Sequence, residues 1–80
     1  MFKDKYTLTT DGERLLTNNE FYLKQPPKYR DYTEKIFRTL FNSGHKTIAE
    51  IVQTTGIGKC AVKGVITYNL MAGFIRKADT

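Results

Sequence analysis

Residues 47–75 read TIAEIVQTTGIGKCAVKGVITYNLMAGFI, and the punctuation of this stretch decides the fold. Thr47 stands three residues before Glu50, the spacing of a capping box. In that motif the threonine hydroxyl accepts from the Glu50 amide while the carboxylate reaches back to the Thr47 amide. A helix of about two turns follows, Ile48 to Thr54. Thr55-Gly56-Ile57 breaks it. From Gly58 a second helix carries Val62, Val65, Ile66 and Leu70 at three- and four-residue spacing on its inward side. Gly73 ends that helix, and Phe74-Ile75-Arg76-Lys77-Ala78 resumes an extended pattern.

Toward the N-terminus, Tyr29, Tyr32, Ile36, Phe37, Leu40 and Phe41 recur at helical spacing, which predicts the main core helix with all six on one buried stripe. Asn42-Ser43-Gly44 stops it. Pro26-Pro27 interrupts regular structure, because neither ring nitrogen can donate and residues before proline avoid the helical region. Thr10-Asp11-Gly12-Glu13 offers another capping box for a short helix carrying Leu15 and Leu16 inward. Ahead of it, Lys5-Tyr6-Thr7-Leu8-Thr9 alternates and is rich in aromatic and β-branched residues, the pattern of a short strand.

Eighty residues suit a single domain, 1–80, with one small core, to which ten Phe and Tyr rings contribute. With 40% hydrophobic and 26% charged residues the composition is that of a globular chain rather than a disordered one. The longest apolar runs, such as Leu70-Met71-Ala72, are far too short to cross a bilayer. Met1-Phe2-Lys3-Asp4-Lys5 lacks the apolar run of a secretory signal, so a cytoplasmic location is expected. Cys60 alone makes no internal disulfide, and with His45 the one histidine a structural zinc site lacks ligands. No metal and no cofactor are expected.

Lysine and arginine total 13 against 8 acidic residues, a net charge of +5, which favours a polyanionic partner. The distribution says more than the total. Between Glu50 and Asp79 there is no acidic residue, while Lys59, Lys63, Arg76 and Lys77 all fall there.

Two short helices joined through a glycine turn form the helix-turn-helix unit, whose first helix braces the second so that its exposed side can enter a major groove. Val52 is the small residue that lets the second helix approach, Gly56 supplies the turn, Ile57 plugs the junction, and Val62 is buried on the second helix. Thr47 to Ile75 resembles the core of winged helix-turn-helix regulators of the MarR, ArsR and PadR type, over 29 of the 80 residues. The likeness rests on the TIAEIVQTTGI brace and turn and on the MAGFIRK exit. In that family the exit leads into a β-hairpin, the wing, beside the DNA backbone. The resemblance therefore implies an α+β fold, with three or four helices and a small antiparallel sheet.

Only five residues follow Ile75, too few to build a returning strand. YTLTTDGERLL at residues 6–16 is similar to the strand and helix that follow the wing in such regulators, yet here it comes first. The expectation is that the N-terminal strand near Tyr6 to Thr9 pairs antiparallel with the C-terminal strand near Ile75 to Ala78. Both termini would then lie at the DNA-proximal edge, with Lys3, Lys5, Arg76 and Lys77 near phosphates.

The expected function is sequence-specific or semi-specific binding of double-stranded DNA by a transcriptional regulator, with its recognition helix about 58–72 and without catalysis. Candidate contacts are Lys46, Lys59, Lys63, Thr67, Tyr68, Arg76 and Lys77, lysines and arginines for phosphates and hydroxyls for a phosphate or base edge. Four of them have a plainer reading: a solvated helix face for Lys59 and Lys63, protection of a sheet edge for Arg76 and Lys77. Cys60 is the one thiol, and His45 reads as a solvent-facing loop residue. The chain departs from the family at Cys60, Ala61 and Gly64, where polar or basic side chains are common, and at Asn69, usually apolar. A mid-helix glycine costs about 1 kcal/mol relative to alanine, so Gly64 points to close approach of another surface, DNA or protein. The alternative is a winged-helix module in transcription or replication machinery that docks a protein partner through Ala61, Gly64 and Phe74. Because one such module reads only a few base pairs, a homodimer is also considered, with the helix of residues 11 to 23 as its contact element. A chain this short without an effector domain resembles phage, plasmid or archaeal-virus regulators.

Overall fold

The structure is a computed structural model that describes residues 4–18 and 27–78. The elements run β1 (Lys5–Leu8), α1 (Thr10–Asn18), a 3₁₀ turn (Pro27–Tyr29), α2 (Arg30–Ser43), β2 (Lys46–Thr47), α3 (Ile48–Thr55), α4 (Lys59–Ala72) and β3 (Ile75–Lys77). Among these residues four helices pack on a three-stranded antiparallel sheet of order β2-β1-β3, an α+β arrangement compatible with a winged helix. Among the described residues no helix is long and apolar enough to cross a membrane.

The non-local strand pairing expected from the sequence is present. Tyr6 faces Lys77, Thr7 faces Arg76 and Leu8 faces Ile75. The ladder extends past both ends of β3, with the Ala78 amide donating to the Lys5 carbonyl at 2.8 Å and the Thr9 amide to the Phe74 carbonyl at 3.0 Å. Strand periodicity sends Tyr6 and Leu8 into the core and leaves Lys5 exposed. The sequence did not announce β2. Lys46 and Thr47 read as a connector, but they pair with Tyr6 and Lys5 on the free side of β1. Two residues are too few to show an alternation.

Ile36, Phe37 and Leu40 of α2 are fully buried and form the centre of the core, with Leu15, Ile51, Ile57, Val62, Val65, Ile66 and Ile75 around them. The predicted aromatic stripe is corrected at its margins: Tyr29 is 36% exposed, Tyr32 41% and Phe41 52%. At about 100° per residue, Tyr32 and Phe41 fall on opposite flanks of the buried arc, and Thr33 takes a central place in it. Tyr29 precedes the helix in the 3₁₀ turn, where its ring lies 6.4 Å from Tyr32 and beneath the Lys28 ammonium at 5.5 Å.

The cap of α1 is also displaced by one residue from the Thr10 position. The Thr9 hydroxyl accepts from the Gly12 amide at 3.1 Å and donates to the Gly73 carbonyl at 2.7 Å. One side chain thus starts α1 and ties it to the end of α4. This junction is tight enough to require glycine at position 12. A Cβ there would overlap the Phe74 carbonyl oxygen and sit 3.2 Å from Leu8 Cδ2. Gly12→Ala should therefore destabilise the domain by roughly 1–3 kcal/mol, despite alanine's better helix propensity. A urea melt checks this, and an unchanged or raised midpoint would contradict the packing.

Candidate nucleic-acid interface

The pair α3 and α4 is held by local chemistry that can be followed atom by atom. The expected capping box is complete: the Thr47 amide donates to Glu50 Oε1 at 2.9 Å and the Glu50 amide to the Thr47 hydroxyl at 3.1 Å. The Thr47 amide is the largest cause holding the Glu50 carboxyl below its ordinary range. Partial burial opposes it, and the Thr47 side chain, Lys46 and Lys5 add to the lowering.

α3 ends at Gly56, whose φ of 74° lies in the left-handed region that suits glycine, and whose amide donates to the Val52 carbonyl at 2.9 Å. The next residue, Ile57, is buried in the junction as expected. Its amide donates to the Thr55 hydroxyl at 3.2 Å, and that hydroxyl donates to the Ile51 carbonyl at 2.7 Å. Val52 is half-buried beside the core and Val62 fully buried, so the close approach of α4 to α3 follows from side-chain size.

The inward side of α4 comprises Val62, Val65, Ile66 and Asn69. Leu70, expected there, is half-buried at its margin. Asn69 is accommodated in the core because its Nδ2 donates to the Val65 carbonyl at 2.8 Å, the back-bond that makes a polar side chain acceptable there. The outward side then carries Lys59, Cys60, Lys63, Gly64, Thr67 and Tyr68. Tyr68 is 44% exposed, and Met71 one turn on is 86% exposed.

On the ribbon, Arg76 is exposed with Nη1 donating to the Lys77 carbonyl at 3.3 Å. Lys77 pairs with Asp4 Oδ2 at 3.3 Å. An exposed pair of this kind contributes little net energy, so Lys77 keeps its reach to an anion. Lys5 is exposed on β1 beside this end of the ladder, whereas Lys3 lies outside the described residues. Lys46 is separated from the rest. It is half-buried on β2, at the opposite edge of the sheet from Arg76 and Lys77, and its charge acts on Glu50.

The structure thus gathers Lys59, Lys63, Thr67 and Tyr68 on one side of α4 and Arg76 and Lys77 on β3. Among the described residues, Asp4 is the acidic side chain at this surface, paired with Lys77; Asp11 and Glu13 lie in the first turn of α1, and Asp31 and Glu34 on α2, where Glu34 pairs with Arg38 at 2.9 Å. His45 is an exposed loop residue, as read from its neighbours. The helix 11–23 considered for dimerisation is described only to Asn18. No protein-family model matches the chain, and no curated protein or solved structure is significantly similar to it.

Removing the capping box should loosen the brace. Thr47→Ala is expected to lower stability by about 1 kcal/mol. The folded-state carboxyl of Glu50 is depressed, so its contribution is present above the ordinary carboxyl range and is lost as pH falls through the folded value. Glu50→Gln should accordingly lower the melting temperature near neutral pH and flatten its decline in acid. Parallel melting profiles for wild type and Glu50→Gln from acid to neutral pH would contradict this assignment.

Proposed function

We propose that this domain binds double-stranded DNA as a winged helix-turn-helix transcriptional regulator in the cytoplasm, using no cofactor and catalysing no reaction. In this reading α4 lies at the major groove, braced by α3, and the β1–β3 ribbon lies along the flanking backbone. Lys59, Lys63, Arg76 and Lys77 neutralise phosphates and release counterions, while the Thr67 and Tyr68 hydroxyls can donate to a phosphate or a base edge. The observation that carries the reading is the exposed, lysine-bearing side of α4 in a stretch, residues 51–78, that holds no acidic residue. One module covers only a few base pairs, so a homodimer spanning adjacent turns of the duplex belongs to the proposal.

Met71 favours a second reading. At 86% exposure next to Tyr68, it gives the last turn of α4 an apolar surface that suits docking of a protein partner.

Titration of labelled duplex at several salt concentrations separates the two. Duplex binding predicts a steep salt dependence whose slope falls by about one unit for each phosphate that no longer meets a lysine in Lys59→Ala and Lys63→Ala. No binding at low salt, or a slope indifferent to both substitutions, would favour the protein-docking reading.

A further inference from the structure

Resting on the duplex-binding reading, the polar inventory of α4 limits what kind of recognition is available. Specific reading of the major groove depends on side chains that match two atoms of a base edge at once, arginine or lysine on guanine and asparagine or glutamine on adenine. α4 has no arginine and no glutamine, and its one amide side chain, Asn69, is fully buried and bonded to Val65. What faces outward along the first three turns is Lys59, Lys63, Thr67 and Tyr68 around Cys60 and Gly64. A lysine can reach guanine, but it is a compact point charge on a flexible stem and lacks the rigid fork by which arginine fixes a base edge.

Gly64 adds an independent observation. It sits inside a 14-residue helix with no other chain element within 4 Å of the place a Cβ would occupy. The missing side chain therefore lowers helix stability with no packing reason inside the protein. Gly12 shows the contrast, since there the protein's own backbone occupies the space. An absent side chain on the side facing a groove lets the helix backbone approach the duplex more closely.

We infer that α4 recognises duplex DNA by close approach of its backbone at Gly64 and by phosphate contact, with little discrimination between sequences. The domain is then a reader of duplex shape and charge, and any sequence preference stays small.

The test uses the whole chain and two probes: a mixed-sequence duplex of about 20 base pairs, and the tightest duplex recovered by selection from a random pool. The ratio of the two affinities should stay below about a hundredfold, where specific binders span about 10³ to 10⁷. Gly64→Ala should raise the melting temperature by roughly 4–8 °C and weaken duplex binding at least tenfold, leaving the salt slope unchanged because the charge is the same. A selected duplex preferred by more than about a hundredfold overturns the inference, as does a Gly64→Ala protein that binds like wild type. A lowered melting temperature does so too, since it places the need for glycine within the fold. In each of those results the duplex is still bound and the DNA-binding reading survives. Failure to bind either duplex at low salt removes that reading and the inference together.

Discussion

β1 pairs on both sides, and the domain depends on that double pairing. Its four residues join Lys46–Thr47 on one edge to Ile75–Lys77 on the other, closing loops of some forty and seventy residues. Such closure is entropically unfavourable, and local backbone hydrogen bonds alone do not offset it. The compensation is concentrated at the exit of β1. Leu8 enters the core, Thr9 bonds to both Gly12 and Gly73, and Gly12 lets α1 lie against the Phe74 backbone. The start of α1 and the end of α4 are therefore one joint, and the orientation of α4 depends on a strand more than fifty residues before it.

The second constraint is electrostatic. In so small a domain nearly every charge is at the surface, so the sequence position of acids and bases becomes a spatial pattern with little averaging. Among the described residues the acids lie on α1, on α2 and in the Thr47–Glu50 box, where each also complements a helix N-terminus or an arginine. Asp4 at the end of the ribbon is the exception, paired with Lys77. α4 is left without negative charge, and a duplex could approach its outward side against lysines alone.

Much of this was legible in the chain because the signals were local. The TIAE box, the glycine at 56, the isoleucine plug and the valine spacing each depend on a few neighbouring residues, and each lies where its chemistry placed it. The pairing of β1 with β3 was legible for another reason: Ile75 needed a partner and one unassigned strand remained. Features set by tertiary geometry were not legible. β2 is too short to carry a period. The α1 cap falls on Thr9 rather than Thr10 because the hydroxyl has a second partner, Gly73, sixty-four residues away. Tyr32 and Phe41 fit a helical stripe by spacing, yet the buried arc of α2 is narrower than the stripe and is completed by Thr33. At the candidate interface, Lys59, Lys63 and Thr67 were readable from helical phase. The separation of Lys46 from Arg76 required the strand order.

Whether the outward side of α4 meets the duplex is tested most directly by amide chemical-shift mapping during titration with a mixed-sequence duplex. The largest changes are expected at Lys59, Cys60, Lys63, Gly64 and Thr67, with a second group at Arg76 and Lys77. Changes centred on the Tyr29 and Tyr32 pair, or none along α4, would contradict it.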